Sequence, residues 1–330
     1  MGVMRVAVLE KNRVAAQRIA RVLAASADMA ETVIADDALE LQERLTGEPT
    51  LLACDASEID VARSWLAKWP DLKVLLWTPG PVPAVLEVIR DEPRLRNVVA
   101  WPSFASMPRP WELALVGRRL VDSQASVPKV ADLLAWGAFV KKWRPQTSEQ
   151  RDGIVHEITE LLARAGVVAR TANRAGEIGH ELLMNAMYDA PIDAWGLTKY
   201  AQDRKQDVVL DEAEIPTVRF GFDGFLIALE VADPFGRLAD EHVIDGILRG
   251  AGNAVGPEAP VLDTSHGGAG LGMFQIFASS AALVVDVRPQ ESTRVVWVFD
   301  ADLNPRDTRG MPPSLHLFRT GNKTNQGGWS

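Results

Sequence analysis

Residues 177–190 read Glu-Ile-Gly-His-Glu-Leu-Leu-Met-Asn-Ala-Met-Tyr-Asp-Ala. On a helix, Glu177, Glu181, Asn185 and Asp189 recur every fourth residue and share one stripe, while Ile178, Leu182 and Met187 lie opposite and face a core. Carboxylates with one amide oxygen are the hard ligands magnesium prefers, its remaining positions being filled by water. Read alone, the same stripe is also an ordinary solvated helix face. Leu229-Glu-Val-Ala-Asp-Pro-Phe-Gly236 reads as a strand that ends in an aspartate, with a glycine shortly after. Asp233 can accept a hydrogen bond from an exocyclic amine, and Gly236 lets the backbone approach a flat ring; alone, these residues make a common turn. Residues 266–277, His-Gly-Gly-Ala-Gly-Leu-Gly-Met-Phe-Gln-Ile-Phe, run from glycines into an apolar helical stretch. That layout places free N–H groups and a helix N-terminus where a phosphate chain can lie, although a glycine loop by itself is a weak signal.

In this order and spacing the three motifs resemble the Bergerat ATP-binding fold shared by gyrase, the large heat-shock chaperones, histidine kinases and the MutL repair proteins, over residues 150–303. The resemblance implies an α/β sandwich that binds ATP and magnesium. It implies Asn185 of the N box as the magnesium ligand and Glu181 as the catalytic acid that orients water or the accepting group. Asp189 closes the same box, at a place where kinases often carry histidine or lysine. Asp233 and Gly236 match the first glycine box, with Asp233 on the adenine amine. Gly268, Gly270, Leu271 and Gly272 match the second, around the phosphates. Residues 237–266 correspond to the ATP lid, with Gly250, Gly252 and Gly256 giving it freedom to move. Two departures stand out: Pro234-Phe235 replaces the middle of the usual first box, and residues 195–204 are an insertion from which Lys199 or Arg204 could reach a phosphate.

These motifs need elements to hold them. Apolar runs at 208–210, 217–220, 225–231, 282–287 and 294–299 predict strands, and 154–165 and 175–188 predict helices, an α+β layout. Residues 123–149 read as a linker helix around Leu133, Leu134, Phe139 and Val140. Residues 304–330 read as a C-terminal tail that is polar and turn-forming from Gly321 onward.

The first 122 residues differ. Apolar runs at 5–9, 32–35, 51–55, 74–77 and 98–101, each followed by an amphipathic stretch, predict a doubly wound (βα)5 parallel sheet, an α/β domain. Its layout resembles the receiver domain of response regulators. In receivers an aspartate ends the third strand, and Asp55 stands there. Glu10-Lys11 occupies the place of the acidic pair, Thr78 that of the small hydroxyl residue, and Trp101-Pro102 that of the lysine-proline pair. With the acidic pair broken and the lysine missing, Glu10, Asp55 and Thr78 form a degenerate site. The expectation is a pseudo-receiver that recruits a partner and is not switched by phosphate.

Composition sets the class. The chain has 330 residues, enough for about two domains, with 47% hydrophobic and 24% charged residues. A net charge of −9 argues against a nucleic-acid partner. The single cysteine, Cys54, excludes an internal disulfide framework and points to the cytoplasm, and no run suggests membrane insertion. Four of ten tryptophans, Trp65, Trp69, Trp136 and Trp143, fall in predicted helices and read as packing residues. His156 lacks the context of a phosphoacceptor and reads as a helix-surface residue. The expected function is a bacterial cytoplasmic signalling protein of the two-component type. One form is a kinase that phosphorylates a regulatory protein partner, as anti-sigma-factor serine kinases do. The alternatives are a non-catalytic ATP-responsive adaptor and slow ATP hydrolysis alone; a homodimer is left open.

Overall fold

The computed structural model describes residues 4–122, 128–253, 271–301 and 311–320. It divides into two compact units. The first comprises the chain up to Lys129 with short stretches at 280–282 and 311–316, and the second holds the rest.

In the first unit strands and helices alternate: β1 (Arg5–Leu9), α1 (Arg13–Ser26), β2 (Glu31–Ala35), α2 (Ala38–Arg44), β3 (Leu51–Asp55), α3 (Ile59–Lys68), β4 (Lys73–Thr78), α4 (Val82–Ile89), β5 (Asn97–Ala100) and α5 (Pro110–Val121). The strands pair in parallel in the order β2-β1-β3-β4-β5. Val6, Ala7 and Val8 of β1 and the first four residues of β3 are fully buried, as a sheet covered on both faces requires. Local chemistry starts the helices. Asn12 caps α1 by accepting the amides of Val14 and Ala15, and Asp37 caps α2 by accepting that of Glu40. Outside β5, Leu315 and His316 pair antiparallel with Val98 and Asn97.

The second unit contains β6 (Phe139–Trp143), α6 (Ser148–Arg164), α7 (Ala169–Met184), β7 (Thr217–Phe222), β8 (Leu226–Asp233), α8 (Asp240–Asn253), α9 (Leu271–Ala278), most of β9 (Ala282–Arg288) and β10 (Ser292–Asp300). Its strands run in the order β9-β10-β8-β7-β6, antiparallel from β10 through β6. Helices α6 and α7 lie against one face. Gly179 of α7 meets Leu229, and Glu157 of α6 takes the indole N–H of Trp143 and an ion pair from Lys141. On the other face Glu230 of β8 is fully buried and pairs with Arg219 of β7 and Arg294 of β10.

Four expectations are corrected. Residues 139–143 are a strand, not part of a linker helix, because β6 completes the sheet edge against β7. Trp136 is fully exposed and Trp143 lies on that strand, so neither packs from a helix. Residues 208–210 make one isolated bridge, Val209 to Thr147, and no strand. The region read as a tail contains β11 (Ser314–Arg319), whose first five residues are buried. Gly250, expected to loosen the lid at 237–266, also serves packing. A Cβ there would lie 2.2 Å from the Phe274 ring, so this glycine is where α8 and α9 touch.

Candidate functional site

Helix α7 carries the acid–amide stripe. Its core side is sealed, with Ile178, Leu182 and Leu183 buried. At Asn185 the helix widens into a π turn, Asn185–Asp189, closed by the Ala190 amide on the Asn185 carbonyl at 2.9 Å. Such turns hold side chains at angles a regular helix does not offer and recur at functional sites. Here the Asn185 and Asp189 side chains converge on one point: Arg204 Nη2 donates to Asn185 Oδ1 and to Asp189 Oδ2, both at 3.1 Å. Burial pushes the Asp189 carboxyl above its ordinary range, partly offset by Arg204 and His242, while Glu181 adds to the rise. Glu177 lies further out and pairs with Arg174.

The remaining motifs meet this helix. Helix α9 begins at Leu271, and its second residue, Gly272, faces Glu181; a Cβ there would be 2.8 Å from Glu181 Oε2. Gly268 and Gly270, and the lid residues beyond 253, lie outside the described residues. Strand β8 runs beside the π turn and ends at Asp233. Burial raises the Asp233 carboxyl to about 6, against the pull of the Phe235 and Gly236 amides and of Thr293. Its Oδ1 accepts the Phe235 amide at 2.9 Å, so Pro234 still permits a capped turn. Gly236 has φ 64° and sits against the β9–β10 hairpin. That glycine serves backbone packing whatever it also does for a ligand.

Beside the stripe, α6, α7, the π turn and residues 204–207 border an open pocket of about 570 Å³ lined by Arg151, His180, Met184, Tyr188 and Arg204 among others. Tyr188 organises it, bonding Ser148 Oγ at 2.9 Å, the Gln206 carbonyl at 2.9 Å and Arg151 at 3.1 Å. Burial and the Arg151 and Arg204 guanidinia hold His180 below its ordinary value, against Glu181 and Asp152. The sequence carries a signal for this pocket, since His180, Met184 and Tyr188 are spaced by four like the acid stripe, but it is offset one residue toward the apolar side. Of the two cations in the inserted stretch, Arg204 reaches the stripe, whereas Lys199 is committed to Glu214 and Asp211. His156 is exposed and pairs with Glu160. Among the described residues no group of three or more His, Cys, Asp or Glu is arranged to hold a metal ion.

In the first unit the receiver-like positions lie at strand ends, and each side chain braces its own loop. Glu10 Oε1 accepts the Asn12 amide at 2.8 Å, Asp55 Oδ1 the Ser57 amide at 2.8 Å, and Thr78 Oγ1 the Gly80 amide at 3.1 Å. Trp101 donates its indole N–H to the Ala105 carbonyl at 2.9 Å. Among the described residues no helix is long and apolar enough to cross a membrane. No protein-family model and no curated protein matches the chain.

Proposed function

We propose that the second unit is a Bergerat-type nucleotide-binding domain that takes ATP with magnesium and acts on a regulatory protein partner. The observation that carries this reading is the convergence of Asn185 and Asp189 on one cation, one turn along α7 from Glu181, which itself faces the start of α9. Asp233 supplies a partly buried acceptor at the end of the neighbouring strand. In this reading Asn185 holds magnesium, the start of α9 receives the phosphates, and Asp233 accepts from the adenine amine. ATP supplies the phosphoryl group; Glu181 orients the hydroxyl or water that receives it.

An adaptor without catalysis is the second reading, and the first unit favours it. The strand order β2-β1-β3-β4-β5 is that of doubly wound receiver-like domains, yet Glu10, Asp55 and Thr78 brace their own loops. Such a domain recruits without being phosphorylated. Glu181→Ala separates the two readings: signalling that persists with ATP still bound excludes catalysis.

The test of the pocket is a magnesium-dependent ATP titration of the full chain. Asn185→Ala should weaken binding about ten-fold or more and remove most of the magnesium dependence. Asp233→Ala should weaken it similarly and erase the preference for adenine over guanine, the scale expected for one charge-assisted hydrogen bond. Unchanged affinity in both variants sinks the assignment.

Asp233 adds a pH signature. Its carboxyl is raised to about 6, and an amine donor favours the ionised form, so nucleotide binding expels a proton below that pH. Affinity should be flat above pH 7 and fall by up to about ten-fold per unit once the pH drops below 6. Asp233→Asn should flatten that fall; an equal fall in the variant removes Asp233 from the contact.

A further inference from the structure

Residues 191–207 follow the acid stripe on the way to β7, and none of the three motifs accounts for them. The stretch returns to the helix through Arg204, whose single nitrogen Nη2 is shared between Asn185 Oδ1 and Asp189 Oδ2 at 3.1 Å each. Two oxygens from different residues aimed at one nitrogen define a cation position, and within the chain itself the cation there is a guanidinium.

We propose that Arg204 is a positioning residue that magnesium must displace, so that the inserted stretch sets how much metal the nucleotide site requires. The inference rests on the magnesium-nucleotide reading above and adds the regulation of that site. A guanidinium and a dication cannot share one amide oxygen at low cost, since their repulsion at such short range is strong in a half-buried setting. Asp189 likewise needs one counter-ion, which either cation can supply. Arg204 has somewhere to go. Its side chain already lines the 570 Å³ pocket together with the acidic residues Glu149, Asp207 and Asp152, the last of which is paired with Arg151. Its Nε is buried there with no acceptor among the described residues, so a shift into the cavity leaves two bonds to the stripe and opens access to those carboxylates. Lys199, bound to Glu214 and Asp211, cannot take the place it leaves.

ATP binding to the full chain, measured calorimetrically at a series of free magnesium concentrations, tests this. Arg204→Gln should lower the half-saturating magnesium concentration about five-fold, the scale of one partly exposed ion pair, and leave ATP affinity at saturating magnesium undiminished. Arg204→Lys keeps the charge but not the planar fork, and should give a drop of about three-fold even if the glutamine variant folds poorly. An unchanged or higher magnesium requirement in the variants that fold, with ATP still bound, overturns this inference alone. A loss of ATP affinity at saturating magnesium does the same, because it makes Arg204 a phosphate ligand. If the wild-type chain binds no ATP, the nucleotide reading fails and this inference falls with it.

Discussion

Gly236→Ala should cost the second unit about 3 kcal/mol or more of folding stability, a loss visible as an early transition in denaturant unfolding followed by tryptophan fluorescence. Two effects add. At φ 64° an L side chain enters the left-handed region, which costs on the order of 1–2 kcal/mol. The new Cβ would also lie 2.0 Å from the Arg288 carbonyl oxygen, 2.8 Å from the Gln290 nitrogen and 2.9 Å from the Glu291 nitrogen. All three are backbone atoms of the β9–β10 hairpin, which cannot swing aside as a flexible side chain would. Gly252→Ala is the matched control. It lies on α8 with nothing within 4 Å of its Cβ position, so alanine should stabilise by about 0.5–1 kcal/mol through helix propensity. Equal effects from the two substitutions, or a loss below about 1 kcal/mol for Gly236→Ala, contradict the packing argument. The turn that holds Asp233 depends on this contact, so the nucleotide binding proposed above should be lost together with the local fold.

The elements that were legible in the sequence are those whose burial is local and periodic. In the first unit each strand is a short apolar run and each helix an amphipathic one, and the observed bounds fall within one or two residues of the expected ones. The acid stripe of α7 was equally legible, because Ile178, Leu182 and Met187 define its inner side. What was not legible depends on partners distant in the chain. Phe139-Val-Lys-Lys-Trp143 shows no clear alternation, with Phe139 and Val140 both exposed, and becomes a strand only because β7 offers an edge to pair with. Val208 and Leu210 are buried yet form no strand, since the chain there packs beside the α6 cap, donating the Val208 amide to Ser148. The π turn at 185–189 leaves no mark in composition, although it decides where Asn185 and Asp189 point. Arg204 was visible as a cation in an insertion, but its target was not, because 15 to 19 residues of irregular chain separate it from the two oxygens.

The strand hidden in the expected tail leads to the other large effect. Ser-Leu-His-Leu-Phe carries a histidine, which reads as polar, and His316 is fully buried. What makes that possible is Glu112 on α5, also fully buried, whose Oε1 lies 2.8 Å from His316 Nε2 while Oε2 accepts from Arg109 at 3.1 Å. Burial alone drives this carboxyl upward, but the His316 hydrogen bond and charge, Arg109 and the Ser314 hydroxyl outweigh it, so Glu112 titrates below its ordinary 4.5. Glu112→Ala strips the acceptor from a buried imidazole and the carboxylate from a guanidinium that is 12% exposed and keeps only the Ala281 carbonyl, and should destabilise the first unit by about 3–5 kcal/mol. Glu112→Gln keeps the shape and one acceptor oxygen and should cost about 1–2 kcal/mol. The sign of the pH effect follows from the lowered value. The stabilisation from ionised Glu112 is complete above the unfolded value near 4.5 and disappears as the pH falls through the lower folded value. Acid unfolding of the wild type should therefore steepen below pH 4.5, and Glu112→Gln should flatten that limb. If Glu112→Ala loses less than about 1 kcal/mol, or the glutamine variant retains the full acid slope, the buried pair is not what holds residues 314–316 against β5.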